Sequence, residues 1–175
     1  SWESQALSRG IPSHKRAKFG CYHTEKHLLA TTAEQLGLIA QGDYRWCRHP
    51  LAYLLEAADD ICYTLIDLED GLALNMLRYE EIEPLFLQLL DDLPPPPELK
   101  QDVSALQKIA ALRGKVIEKL VMAVTDAFAQ QQEALLSGQL VGSLLNHCSA
   151  QLSDGIDAAK NLARERIFNH PQKAQ

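Results

Sequence analysis

From Arg48 to Gly71 the chain reads RHPLAYLLEAADDICYTLIDLEDG. Its apolar residues, among them Leu51, Leu54, Leu55, Ala58, Ile61, Leu65, Ile66 and Leu68, recur at the three-and-four spacing of an α-helix. A helix this long and this apolar is expected to be buried on most sides, so other helices must surround it. Pro50 suits its first turn, where a missing N–H costs nothing, and His49 stands at the helix start. Cys62, inside the apolar pattern, reads as a buried free thiol.

The rest of the chain repeats the helical theme. Thr24 reads as an N-cap with Glu25 in the first turn, opening a helix to about Gln41 that Gly42 ends. The Pro50 helix is expected to run to about Arg78. Glu80 to Leu90 forms another amphipathic stretch, with Pro84 tolerable only in an early turn. Residues 91–98 (DDLPPPPE) form a stiff, extended connector. Long helical patterns follow from Leu99 to Leu136, with Gly114 marking a break or a close packing contact. Leu140 to Leu152 and Ile156 to Phe168 read as two more helices, the last stopped by His170-Pro171. No alternating strand pattern and no hairpin signal occurs. The expected fold is all-α, a single helical domain over residues 1–175 built as a bundle of six or seven helices.

Composition excludes some classes. The 175 residues suffice for one sizeable core, and the formal net charge is -6, against a general nucleic-acid or anionic-membrane binder. No run of 18 apolar residues exists, so no membrane span is expected. Cys21, Cys47, Cys62 and Cys148 form no CxxC pair, consistent with reduced thiols and a cytoplasmic protein. Residues 1–22 read as a loop carrying a basic cluster of His14, Lys15, Arg16 and Lys18.

Chemistry concentrates on the Pro50 helix. Asp59, Tyr63 and Asp67 are spaced i, i+4, i+8 and share one face, with Glu56 one turn before Asp59. Burying such carboxylates costs several kcal/mol, in order of magnitude, unless a cation, a donor or water compensates. A metal ion beside a sugar-phosphate is one compensation. A solvated acidic face, with Tyr63 a rim tyrosine, is the other reading, and spacing alone does not choose. His23 and His27 are also i, i+4, a spacing that can chelate, but capping or solvated roles suit them better.

The string EAADDICYTLIDLED resembles the last motif of the deoxyguanosine triphosphate triphosphohydrolase family, within the HD superfamily of metal-dependent phosphohydrolases. The resemblance implies an HD-like helical fold with Asp59 as a ligand of a divalent metal, Mg or Mn. It implies Tyr63 and Asp67 as contacts to the sugar and phosphates of a deoxynucleoside triphosphate. SHKRAKFGCYHTEK resembles the family's Lys-x-Gly-aromatic stretch and implies Lys18 as a phosphate contact. The later segments LRGKVIEKLVMAVTDAF and LARERIFNHPQ resemble its helical scaffold. A homo-oligomer is implied too.

The family's His and His-Asp pair are absent, since no His-Asp dipeptide occurs here. The sequence is therefore expected to be a fragment truncated at both ends, inactive in isolation because one Asp cannot hold a divalent ion against water. Two other readings stay open: a non-catalytic helical interaction module, and a nucleotide-sensing HD-like regulator.

Overall fold

The computed structural model describes residues 21–169. These residues divide into two compact units, with the boundary between Cys47 and Arg48. Six α-helices lie among the described residues, with one small two-stranded sheet, so the chain is all-α as its periodicity implies.

In the first unit a 3-10 turn, His23–Glu25, runs into α1, Lys26–Gln35. The helix stops six residues before the expected end. Gly37 has φ 64°, and it closes a Schellman turn in which the N–H of Leu38 donates to the carbonyl of Ala33 at 2.9 Å and that of Gly37 to Glu34 at 3.0 Å. The freed residues make the hairpin that the sequence did not announce. β1, Ala40–Gly42, pairs antiparallel with β2, Arg45–Trp46, with Ala40 opposite Trp46 and Gly42 opposite Arg45. Strands this short leave no alternating pattern to read.

The second unit is the bundle. α2, Pro50–Ala73, has Pro50 at N1, and the His49 ring nitrogen accepts from the Leu51 N–H at 3.2 Å. Asn75, at φ 56°, ends it before Arg78. The N–H of Met76 donates to the Gly71 carbonyl at 2.8 Å and that of Asn75 to Leu72 at 3.0 Å, a Schellman turn with asparagine in the left-handed position.

α3 is Tyr79–Leu90. Its Pro84 lies in the second turn and is exposed, so the Glu80 carbonyl left without an N–H faces water. Pro96 is extended, at φ -65° and ψ 147°, and leads into a 3-10 turn, Pro97–Lys100. α4, Ala105–Gln130, starts at a capping box between Ser104 and Gln107 and runs unbroken through Gly114. Nothing lies within 4 Å of where a Gly114 Cβ would stand, so that glycine marks neither a break nor a tight contact. The short α5, Gln132–Leu136, follows.

The expected pair of terminal helices is differently divided. Only a 3-10 turn, Leu144–His147, precedes α6, Ala150–Ala163, which Ser149 caps and which continues into a π-helical turn, Arg164–Phe168. Gly155, within the sequence where a break was expected, lies inside α6.

α2 and α3 each pack against α4 and α6. Phe86, Leu65, Leu68, Ile82, Leu112 and Ile156 are among the fully buried side chains between them, each contributing roughly 1.5–3 kcal/mol of apolar burial. This arrangement buries Tyr53, Ala57, Ile61, Thr64, Leu65 and Leu68 of α2 and fixes which of its sides faces out.

Candidate functional site

The outer side of α2 is wider than the sequence led us to expect. Leu51, Leu55, Tyr63, Ile66 and Leu74 are exposed, as are Asp59 and Cys62. Cys62 is thus a surface thiol: it lies one helical step, about 100°, from the buried Ile61. The apolar string around it is continuous in sequence but not around the helix.

Asp59 and Tyr63 stand one turn apart on this side, Tyr63 with two-thirds of its surface open at 67%. Neither side chain makes a hydrogen bond or ion pair with another described residue. Asp67, one turn further, is half-buried. Lys18 lies outside the described residues.

The neighbouring carboxylates of α2 are engaged. Asp60 Oδ2 accepts from Lys160 Nζ of α6 at 2.9 Å, and the Asp60 carbonyl accepts from the Thr64 hydroxyl at 2.6 Å. Glu69 Oε2 lies 2.9 Å from Arg113 Nη1 of α4, an ion pair by distance without an aligned hydrogen bond. Glu56 pairs with Arg48. The Arg48 guanidinium also lies 3.9 Å from the Tyr53 ring centre and donates to the Gly142 carbonyl at 3.2 Å, while the Tyr53 hydroxyl donates to Leu140 at 3.4 Å. The stretch 140–142 is thereby held to the start of α2. Sequence reading missed all three pairs, because the cations of two of them sit on distant elements.

No group of three or more His, Cys, Asp or Glu among the described residues could hold a metal ion. A hard divalent cation needs several oxygen ligands, so the described residues do not fit such an ion by themselves. Asp59 could supply one ligand. His27 instead meets Tyr44: the tyrosine hydroxyl is 3.4 Å from its Nδ1 and the rings stand edge to face.

A separate surface pocket of about 290 Å³ is lined by Asp91, Lys119, Asp126, His147, Cys148 and Ser149, with other residues. Lys119 is already bonded there to Asp91 at 3.4 Å and Asp92 at 2.5 Å. Burial pushes the Cys148 thiol up, which keeps it from acting as a ready nucleophile.

The fold is an all-α bundle in which α2 shows an open side bearing Asp59 and Tyr63. The chain is 49% identical over 162 residues to a deoxyguanosinetriphosphate triphosphohydrolase-like protein of Pseudomonas aeruginosa, covering 91% of this chain and 37% of that protein. It is 34% identical over 165 residues to one of the same name from Synechocystis, covering 91% and 36%. A deoxyguanosinetriphosphate triphosphohydrolase of Serratia proteamaculans is 31% identical over 143 residues, covering 73% and 28%. Over nearly all its length, then, this chain is homologous to the deoxyguanosinetriphosphate triphosphohydrolase-like proteins. It spans little more than a third of the length of the first of these relatives. No family model matches it. Among the described residues no helix is long and apolar enough to cross a membrane.

Proposed function

We propose that this chain is part of a deoxynucleoside triphosphate triphosphohydrolase and that the open side of α2 is one wall of its substrate site. The observation that carries the reading is the homology to proteins named for that activity over 91% of the chain. It is supported by the position of Asp59 and Tyr63, exposed and unengaged among the described residues, on the helix whose sequence carries the family resemblance.

The proposed reaction converts a dNTP and water to a deoxynucleoside and triphosphate. The water oxygen bonds to the α-phosphorus, the bond from that phosphorus to the sugar 5′-oxygen breaks, and the 5′-oxygen leaves with a proton. In this reading the Tyr63 hydroxyl donates to a sugar or phosphate oxygen, the Asp67 carboxylate accepts from a sugar hydroxyl, and Lys18 offsets phosphate charge. Together they hold the nucleotide in line for attack. Asp59 is proposed as one ligand of a Mg or Mn ion whose other ligands come from outside the described residues. A homo-oligomeric, cytoplasmic protein, and a single domain over 1–175 with 91–98 as its connector, belong to the same reading.

The test is triphosphate release from each dNTP by the full natural chain with Mg²⁺ or Mn²⁺. Asp59→Ala should lose at least about 100-fold, since even residues behind metal ligands cost 10–100-fold. Full activity in Asp59→Ala would sink the ligand assignment. A wild type that binds dNTPs without cleaving them would favour the nucleotide-sensing reading.

A further inference from the structure

Asp60 and Glu69 are nine residues apart on α2. At about 100° per residue they project from opposite flanks of the helix. Each is tied to a different neighbour, Asp60 to Lys160 of α6 and Glu69 to Arg113 of α4. Asp59 and Tyr63 project into the open arc between those flanks. Rotation of α2 in either direction about its axis would stretch one of the two pairs. The buried side of α2 sets which way the helix faces, and the two pairs act on the small rotations that packing leaves.

We propose that Asp60–Lys160 and Glu69–Arg113 are two positioning pairs that trim the rotation of α2 within what its packing allows, and through it the direction in which Asp59 and Tyr63 point. The inference rests on the reading of the α2 side as a substrate wall. The Asp60–Lys160 pair is only partly buried, at 38% and 31% exposure, while Glu69 is 18% exposed with its Oε2 buried against Arg113. A pair as exposed as Asp60–Lys160 adds little to global stability, so its effect is expected in orientation and not in folding. Asp60 is then no second ligand beside Asp59: its carboxylate is committed to the neighbouring helix.

The experiment uses the full natural chain with Asp60→Asn, Lys160→Met, the charge-exchanged Asp60→Lys/Lys160→Asp and, for the other flank, Arg113→Met. Lys115→Met, which breaks a pair within α4 alone, is the control. For each variant kcat and KM for dNTP hydrolysis are measured with the melting temperature. In parallel, the electron spin resonance spectrum of a nitroxide on Cys62 is recorded, the other cysteines being replaced by serine.

The single variants should lower kcat about tenfold, as misplacements well under 1 Å do, with KM nearly unchanged throughout and melting temperature nearly unchanged in Asp60→Asn and Lys160→Met. They should also alter the nitroxide spectrum, the charge exchange should restore both readouts, and Lys115→Met should change neither. Wild-type kcat and an unchanged spectrum in Asp60→Asn, Lys160→Met and Arg113→Met would overturn the inference. So would losses that merely track melting temperature. If the wild type hydrolyses no dNTP, the functional reading fails, and the nitroxide spectrum alone decides whether the pairs orient the helix.

Discussion

Lys160 Nζ lies 2.9 Å from Asp60 Oδ2, joining two helices whose residues are 100 positions apart, while the side chain of Asp59 next door makes no hydrogen bond or ion pair with a described residue. Two adjacent carboxylates of one helix therefore meet different surroundings. Because the exposed Asp59 side chain makes no hydrogen bond or ion pair among the described residues, Asp59→Ala should change stability by no more than about 0.5 kcal/mol. Thermal unfolding checks this. A loss of several degrees would make Asp59 a structural residue.

Two of the helical glycines, Gly114 and Gly155, should respond in opposite ways to alanine. Around Gly114, exposed in α4, a Cβ meets nothing within 4 Å, so Gly114→Ala should stabilise by about 0.5–1 kcal/mol by restricting the unfolded chain. A Cβ on Gly155 would stand 2.7 Å from Leu89 Cδ2, in a side chain that is fully buried. Overpacking costs about 1–3 kcal/mol, so Gly155→Ala should lose about 1 kcal/mol net of its helix-propensity gain. Urea midpoints at unchanged slope read both effects.

The glycines also show what could be read in the sequence. The apolar period of α2 and its start at His49-Pro50 were legible because both are local: the period sets the buried side and proline fixes the first turn. The shared side of Asp59 and Tyr63 follows from that period. Gly155 looked like a break because Ser153, Asp154 and Gly155 interrupt the apolar spacing. The helix continues because Leu89, far away in sequence, fills the space above the glycine. Cys62 was misplaced for a related reason, since its side of α2 is open only through what the other helices leave uncovered. The partners of Asp60 and Glu69 could not be read at all, because they depend on how three helices pack.

Glu81 supplies a pH prediction. The Arg78 N–H donates to its Oε2 at 2.9 Å, and with the Arg78 and Arg166 guanidiniums this holds its carboxyl below the usual value of 4.5. The folded state thus favours the ionised form. The stabilisation is present above the ordinary carboxylate value and is lost as pH falls through the depressed one. From about pH 6 to about pH 3, stability should fall less in Glu81→Gln than in the wild type. Equal slopes would show that the three contacts do not perturb the carboxyl.

Tyr79 behaves in the opposite sense. Burial, together with a hydroxyl that donates to Glu83 Oε1 at 2.5 Å, pushes its pKa up to about 12. Its stabilisation is present below the ordinary value near 10.0 and lost as pH rises towards about 12. Titration of tyrosinate absorbance should show a late-ionising group that disappears in Tyr79→Phe.

The π-helical turn Arg164–Phe168 bears on how this chain tolerates insertion and deletion. Such a turn spans one residue more than an α turn does. Deleting one residue within it would let the α pitch resume and would turn all that follows by about 100°. Ile167 is buried and lies so near Gly71 that a Cβ there would stand 2.8 Å from its Cδ1. A deletion would carry that side chain away from Gly71, so the length of this turn sets the phase in which the end of the bundle meets α2.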